Sequence, residues 1–279
     1  MKKSQGVFCY LANKGIKNYF ELFKSLFLLK QNFLYKYDVI VFHESNYNMF
    51  IIKLYTFIFN IEFRLINLNE YYYNNEEKIK IHPDLKSFGI GYRSMCFFFF
   101  SEFYKHIKDY KYYCRLDTDS FLTGKINFDF FQAMNDNKFL YGYIGEFKES
   151  PNALKNFDGF LSGKNYFKKN LHKSEALFEN EKYNLRCVYN NFEIIDLSIF
   201  DREDVKEFIN DIVDSNNIYQ LRWGDAPLRT IMVSLFLNRD QIVQFKNIDY
   251  THQYFVQKNG LTSEHPFILQ NLEPLGRIL

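Results

Sequence analysis

Two aspartates, Asp117 and Asp119, directly follow the apolar run "YKYYCRL". The run predicts a buried strand, and in open α/β sheets ligands bind at the carboxyl ends of the strands. Carboxylate oxygens at such a position suit Mg²⁺ or Mn²⁺ holding a diphosphate. A solvated acidic turn would have the same sequence, so the pair alone leaves both interpretations open.

Three further stretches could carry chemistry. Glu193 lies in the largely apolar "YNNFEIIDL", where burial would raise its pKa or require a partner, as for many catalytic carboxylates. In "LRWGDAPL", Trp223 offers a flat apolar face for a sugar ring, and Pro227 suits the first turn of a helix. His252 follows an apolar and aromatic segment. Each also has a structural alternative: an exposed strand glutamate, a core tryptophan beside a helix start, and a structural histidine.

The elements that position these residues alternate between strand and helix. "GVFCYLA" and "YDVIVFHES" predict buried strands, and between them Phe20, Phe23, Phe27 and Leu28 recur at helical spacing. Strand, helix and strand in this order indicate a parallel βαβ unit and hence an α/β fold.

Later segments continue this alternation. Further strands are predicted in "EFRLINL", "YKYYCRLD" and "KFLYGYIG", and further helices over 94–107, 128–134, 205–213 and from Pro227 onward. Asp201 is the expected N-cap of the helix over 205–213. No repeat or linker divides the chain, so we expect a single domain over 1–279.

Charge and hydropathy exclude some classes of protein. The 35 basic and 33 acidic residues are well mixed, which argues against nucleic-acid binding. "MKKSQGVFCYLANKG" lacks the hydrophobic region of a signal peptide. Lys53 interrupts the apolar run "MFIIKLYTFIFNI", which is shorter than the roughly 18 residues that span a bilayer. Together with four scattered cysteines, expected to be buried free thiols, these features predict a cytoplasmic protein without a transmembrane segment.

Six blocks together resemble the fungal α-1,2-mannosyltransferases of glycosyltransferase family 15. The blocks, in chain order, are "YRSMC", "YKYYCRLDTD", "NKFLYG", "NNFEIIDL", "RWGDAPLRTI" and "FKNIDYTH". The likeness covers about residues 89–254. It implies a GT-A-type α/β domain with a mixed, mostly parallel central sheet flanked by helices. It also implies Mn²⁺-dependent, retaining transfer of mannose from GDP-mannose to a glycan acceptor.

The resemblance also assigns the binding residues. Asp117 and His252 would ligate the metal, with Asp119 sharing it, and such a mixed site suits Mn²⁺ better than Mg²⁺. Arg115 would lie beside the diphosphate, and Asn13 is a further candidate for nucleotide binding. We expect the nucleotide-binding half at about 1–120, the acceptor and catalytic half at about 121–258, and a tail over 259–279.

The same resemblance assigns the residues around the sugar. Tyr92 and Glu193 would face the reacting sugar, and Asp225 would hold sugar hydroxyls or support the site from behind. The substrate pocket would be formed by Arg222, Trp223 and Asn191.

Departures from the family pattern keep alternatives open. The family has Glu-Pro-Asp where this chain has Asp117-Thr118-Asp119, and "FFFF" replaces an arginine and small residues. A catalytically silent nucleotide- or carbohydrate-binding module is therefore one alternative. A metal-dependent phosphoesterase or nuclease is another, although such sites usually need more clustered carboxylates. The membrane anchor of fungal members is not found, which favours a bacterial or viral source.

Overall fold

The computed structural model describes residues 5–85, 88–263, 265–270 and 272–279. The first four residues of the amino-terminal stretch, and residues 264 and 271 of the predicted tail, lie outside this part of the chain. The strands are β1 (Gly6–Ala12), β2 (Asp38–His43), β3 (Glu62–Leu65), β4 (Tyr112–Leu116), β5 (Phe121–Leu122), β6 (Tyr141–Tyr143), β7 (Glu146–Lys148), β8 (Phe178–Glu179), β9 (Lys182–Tyr183), β10 (Arg186–Val188), β11 (Phe192–Asp196), β12 (Ile242–Gln244), β13 (Tyr250–His252), β14 (Phe255–Lys258), β15 (Leu261–Thr262), β16 (Ile268–Leu269) and β17 (Arg277–Ile278).

The α-helices lie mainly between these strands. They are α1 (Ile16–Asn32), α2 (Met49–Phe59), α3 (Glu70–Asn75), α4 (Ile90–Phe97), α5 (Phe130–Asp136), α6 (Phe157–Ser162), α7 (Asn165–Asn170), α8 (Glu203–Asp214), α9 (Asn217–Gln220) and α10 (Asp225–Phe236). Short 3₁₀ segments connect several of them.

The central sheet is mixed and mostly parallel, as predicted. Its strand order is β17-β12-β6-β11-β4-β1-β2-β3, and only β11 runs antiparallel to its neighbours β4 and β6. The predicted βαβ unit is confirmed, since β1 and β2 pair in parallel across α1. Right-handed crossovers between successive neighbours place α1 and α2 on the same face of the sheet.

The predicted helix is confirmed as α1, but the apolar residues that indicated it do not form its buried face. Leu22, Leu26 and Leu29 face the core, whereas Phe20 and Phe27 point outward. Both stripes are apolar, so periodicity alone could not choose between them. The buried stripe also carries Ser25 and Asn32, which donate hydrogen bonds to the backbone carbonyls of Ser120 and Leu122. These bonds attach α1 to the segment that follows β4.

Two predicted helices differ in detail. The helix expected over 94–107 is composite: α4 is followed by a π-helical turn over Phe98–Glu102 and a 3₁₀ turn over Phe103–His106. The expected N-cap Asp201 is wrong, because Asp201 ends a 3₁₀ segment and Arg202 is the N-cap of α8. Pro227 does lie in the first turn of α10.

A smaller sheet brings a distant segment to the end of β4. Strand β13 pairs with β5, with Tyr250 opposite Leu122 and Thr251 opposite Phe121. Because β5 follows Asp119 by one residue, this pairing carries His252 back to the carboxyl end of β4. The predicted tail is partly structured, since β17 pairs with β12 at the edge of the central sheet.

The predicted buried thiols are confirmed, as all four cysteines are free and buried. Across the described residues, no helix combines the length and the apolar character that crossing a membrane requires. The boundary between a nucleotide-binding half and an acceptor half stays a prediction.

Candidate active site

The candidate site lies where β4 ends and β11 begins. Because the two strands are antiparallel, with Leu116 opposite Phe192, the end of one meets the start of the other. Asp117 therefore lies beside Asn191, whose side-chain amide donates a hydrogen bond to the Asp117 carboxylate. The strand order explains why two distant sequence blocks meet at one edge of the sheet.

The three predicted metal ligands come together at this edge. One ligand atom each from Asp117, Asp119 and His252 lies within 4.8 Å of the others. The Nε2 atom of His252 is 3.0 Å from Asp119 Oδ1 and 3.9 Å from Asp117 Oδ2. Two carboxylates and an imidazole converging on one point form a donor set that suits Mn²⁺.

The surroundings of His252 support this use of its Nε2 atom. Tyr189 Oη lies 2.6 Å from His252 Nδ1 and 3.2 Å from the His252 carbonyl oxygen, which can only accept. If the phenol donates to that carbonyl, Nδ1 must donate to the phenol oxygen. Nε2 is then the nitrogen that faces the two carboxylates, where all three groups can share one cation. A metal-binding histidine is commonly fixed by a bond to its other nitrogen in this way.

The turn that carries the two aspartates is held by short-range hydrogen bonds. The Asp117 amide donates to Ser120 Oγ, and the Ser120 amide donates to the Asp117 carbonyl. The Ser120 hydroxyl also lies 2.6 Å from the Tyr250 hydroxyl. Burial would raise the pKa of Asp119, but the hydrogen bond and charge of His252, together with a bond from Gln253, outweigh burial and hold this pKa below its usual value. Asp119 is therefore placed as an anionic ligand.

Arg115 fixes Asp117 from behind. Its Nε donates to Asp117 Oδ1 at 3.0 Å and its Nη1 to Asp225 Oδ2 at 2.5 Å. The Phe99 ring covers the guanidinium, with its centroid 3.7 Å from Cζ. Arg115 is buried, and its hydrogen-bond partners are protein groups, namely the two carboxylates and the Met95 sulfur. The predicted contact with a diphosphate stays a prediction.

Asp225 is the first residue of α10, and its carboxylate accepts hydrogen bonds from residues of two sequence blocks. Besides Arg115, Asn190 donates to its Oδ2 at 2.8 Å. Burial would raise the pKa of Asp225, but Arg115 and Asn190 outweigh burial and hold that pKa below its ordinary value. Both contacts are to protein groups, so Asp225 supports the residues around Asp117.

Glu193 is fully buried, with 0% of its surface exposed. Tyr113 donates to its Oε1 at 2.8 Å and Tyr141 to its Oε2 at 3.1 Å, while Arg229 Nε lies 3.4 Å from Oε2. Burial raises its pKa more than the two nearby arginines lower it. Of the two alternatives in the sequence, the buried and partnered carboxylate is observed. Its role toward a reacting sugar stays a prediction.

The prediction of Trp223 as a sugar-packing surface is corrected by its burial. It is 1% exposed, its ring packs edge-on against Phe157 and Phe160, and its Nε1 donates to the Lys155 carbonyl at 2.9 Å. The core tryptophan beside a helix start is therefore observed. Local sequence could not separate the two alternatives, because both place Trp223 just before α10.

Arg222 occupies a strained position next to Trp223. Its φ of 55° lies in the left-handed region, which is unusual for a side chain of this size. Its guanidinium covers the Phe88 ring at 3.7 Å, and Nη2 is 3.5 Å from the Tyr92 hydroxyl. Tyr92 is exposed on α4. Its pKa is raised mainly by the neighbouring Cys96 and to a smaller extent by burial of the phenol oxygen. The structure thus brings the predicted Arg222 and Tyr92 together.

Asn13 lies in the exposed turn after β1. Since β1 is parallel to its neighbour β4, this turn is at the same edge of the sheet as Asp117. Its contact with a nucleotide stays a prediction.

Several residues of the site were not predicted. Tyr189 and Asn190 directly precede Asn191, so the polar block "YNN" contained a signal for them. Ser120 follows the aspartates and could have been inferred as a turn residue. Phe99 gave no usable signal, because its contact with Arg115 depends on the π-helical turn.

The family is shown by comparison with known sequences. The model of the family "Glycolipid 2-alpha-mannosyltransferase" matches residues 74–263. This chain belongs to that family. It is 30% identical over 240 residues to "Probable mannosyltransferase MNT3" of Candida albicans, covering 80% of this chain and 63% of the relative. It is 31% identical over 170 residues to the "Glycolipid 2-alpha-mannosyltransferase" of Saccharomyces cerevisiae, covering 58% of this chain and 38% of the relative.

Solved structures confirm the GT-A-type α/β fold. The mannosyltransferase Ktr4p from S. cerevisiae in complex with GDP has a TM-score of 0.77 and 21% identity, covering 98% of this chain and 77% of that one. Core-mannan synthase A from Aspergillus fumigatus, in an Mn/GDP form, has a TM-score of 0.73 and 19% identity, covering 96% of this chain and 81% of that one.

The comparisons also correct the expected source. The curated relatives are fungal and point to a fungal source, so the prediction of a bacterial or viral one is wrong. The chain spans less than two thirds of the first curated relatives it matches. Nothing about the source therefore follows from the anchor, and the predicted cytoplasmic location is not shown.

Proposed function

We propose that this protein is a metal-dependent, retaining glycosyltransferase that transfers mannose from GDP-mannose to a glycan acceptor in α-linkage. The cluster of Asp117, Asp119 and His252, in a chain of this family, carries the proposal. GDP in the Ktr4p structure and Mn/GDP in core-mannan synthase A support a nucleotide-sugar donor and Mn²⁺. The mixed donor set favours Mn²⁺ over Mg²⁺.

The residues around the cluster would prepare it for the metal. When bound, Mn²⁺ would neutralise the charge that develops on the departing diphosphate. Asp117 is already held by Arg115 and Asn191, and His252 by Tyr189. Ligands fixed in this way need little reordering on binding.

Arg115 would act as a positioning residue. Its guanidinium already compensates Asp117 and Asp225, and the Phe99 ring covers its face. A buried arginine with two carboxylate partners is held in one geometry. We therefore assign it to the orientation of Asp117 instead of direct capture of the leaving group.

Retention of configuration allows two routes. A nucleophilic carboxylate can form a glycosyl-enzyme first, by analogy with retaining glycosidases, or the acceptor can attack on the same face as the leaving group. The first route would require Glu193 to give up its bonds from Tyr113 and Tyr141 and to reach the sugar. The second requires no such movement, so the burial of Glu193 supports same-face attack. A Glu193→Gln protein that keeps full turnover would remove Glu193 from the chemistry.

The test is release of nucleoside diphosphate from GDP-, UDP- and dTDP-sugars, with and without Mn²⁺. We expect Mn²⁺-dependent release from GDP-mannose that falls by at least about a thousandfold in Asp117→Ala, because a ligand that stabilises developing charge is lost. Asp240→Ala is the matched control, since Asp240 is exposed before β12, at the opposite edge of the sheet.

A second measurement separates failure of catalysis from failure of binding. Thermal unfolding with GDP and Mn²⁺ reports binding without turnover. Stabilisation by GDP together with no release from any donor would contradict the transferase and support a silent nucleotide-binding module.

A further inference from the structure

The outer faces of α1 and α2 expose an unusual number of aromatic rings. Phe20, Phe27, Phe50 and Phe57 are 71%, 52%, 69% and 88% exposed. A phenylalanine side chain has roughly 150–250 Å² of surface, so these rings together expose on the order of 500 Å². Soluble monomers rarely expose a contiguous apolar patch of more than a few hundred Å², and larger ones mark interaction sites.

The rings are arranged in the same way on both helices. On α1, Lys24 lies between Phe20 and Phe27 at steps of four and three residues, and on α2, Lys53 lies between Phe50 and Phe57 at steps of three and four. These steps place each set on one side of its helix. Since α1 and α2 pack side by side on one face of the sheet, as in the contact of Tyr55 Oη with the Tyr19 carbonyl, both sets belong to one surface, which we name the α1/α2 surface.

The two helices that form this surface carry a net positive charge. Helices α1 and α2 carry four lysines and one glutamate, and that glutamate, Glu21, pairs with Lys17 at 3.5 Å. The lysines are Lys17, Lys24, Lys30 and Lys53. Aromatic side chains flanked by lysines, with little acidic charge, are the composition of helices that lie in the interface of an anionic membrane.

We propose that the α1/α2 surface binds the face of a membrane that contains anionic phospholipids. The rings enter the boundary between headgroups and acyl chains, while the lysines pair with lipid phosphates. Both helices begin at the carboxyl ends of β1 and β2, the edge of the sheet that carries Asp117. A membrane bound here therefore lies beside the candidate site, within reach of an acceptor attached to that membrane.

Co-sedimentation of the full chain with vesicles tests the proposal without depending on enzymatic activity. One set of vesicles contains phosphatidylserine in phosphatidylcholine and the other phosphatidylcholine alone. We expect at least about tenfold tighter binding to the anionic vesicles at low salt, which weakens as salt is added. Lys53→Glu should weaken this binding by roughly fivefold or more.

Paired substitutions separate the surface from general stickiness. The double variant Phe20→Ser/Phe57→Ser should lose at least about tenfold in vesicle affinity, because both rings leave the interface. Leu261→Ser is the control, since Leu261 is 76% exposed on β15, outside the surface. Turnover of donor in the absence of vesicles should not change in the double variant, as neither ring touches the site.

Two results would overturn the proposal. One is equal binding of the double variant and the original chain, or no binding to either kind of vesicle. The other is concentration-dependent self-association of the original chain, seen by light scattering and lost in the double variant, without vesicle binding. The second result would assign the surface to contact between two copies of the chain.

Discussion

Carboxylates at the candidate site and the carboxylate of Glu193 are stabilised in opposite ways. Asp117 and Asp119 are partly exposed and converge with Nε2 of His252, so both carboxylates can be reached from solvent. Glu193 is closed off, with both oxygens hydrogen-bonded by tyrosines and an arginine nearby. The open pair can take a cation from solvent. The closed carboxylate is already satisfied and shapes the sheet beneath the site.

The largest expected effect comes from removing the cationic partner of the buried Glu193 carboxylate. Arg229→Met should lower the free energy of unfolding by about 3–5 kcal/mol, because it leaves Glu193 buried without its cationic partner. Urea unfolding measures the loss. The double variant Arg229→Met/Glu193→Gln should recover much of it, since the uncompensated charge is then gone.

An exposed ion pair provides the contrast. Arg202 and Asp204 lie 2.7 Å apart with side chains 36% and 39% exposed, so Arg202→Met should cost less than about 1 kcal/mol. A similar loss for Arg202→Met and Arg229→Met would mean that burial of the Glu193 partner does not matter.

A second, smaller effect concerns the open pair. Tyr189→Phe should weaken Mn²⁺ binding by about 10–100-fold, because the phenol that fixes His252 through Nδ1 is removed. Titration of Mn²⁺ by electron paramagnetic resonance measures this without turnover. Tyr35→Phe is the control, since the Tyr35 hydroxyl donates to the Asn127 carbonyl, away from the cluster. Unchanged Mn²⁺ affinity in Tyr189→Phe would contradict the assignment of His252 as a ligand.

The two regions were also predictable to different degrees. Asp117 could be placed at the carboxyl edge because it follows a predicted strand, and His252 could be joined to it only because the family blocks contain both. The burial of Glu193 could not be decided, because a five-residue strand looks the same whether one or both faces are covered. Trp223 failed for a similar reason, since a core ring and a binding ring can occupy the same position before a helix.

The face of α1 shows a further limit. Its phenylalanines and its leucines each form an apolar stripe at helical spacing. Only tertiary contacts of Ser25 and Asn32 with the segment after β4 select the leucine stripe for the core. Patterns within one helix predict that it forms, but the choice between two apolar faces depends on residues more than eighty positions away.

The smallest expected effect is on the pH dependence of stability, to which the two kinds of carboxylate contribute differently. Burial raises the pKa of Glu193 above its ordinary value of 4.5. Glu193 therefore binds a proton more readily in the folded state than in the unfolded state. As pH rises from 4.5 through the higher pKa of the folded state, Glu193 disfavours folding increasingly. Asp225, whose pKa is lowered from 3.8, acts in the opposite direction, because its stabilisation is present above 3.8 and is lost as pH falls through the lower folded value.

Glu193→Gln should therefore change the pH dependence of stability only above pH 4.5. The variant should have a higher free energy of unfolding than the original chain, and this difference should be largest near neutral pH. The difference should shrink by less than about 1.4 kcal/mol per pH unit as pH decreases toward 4.5. Urea unfolding between neutral and mildly acidic pH measures the slope. Below the ordinary pKa of a glutamate, loss of stability on acidification should be the same in both proteins, because Asp225 and its partners are unchanged. A difference between the proteins that does not vary with pH would contradict the raised pKa, because it requires Glu193 to bind its proton equally in the folded and the unfolded chain.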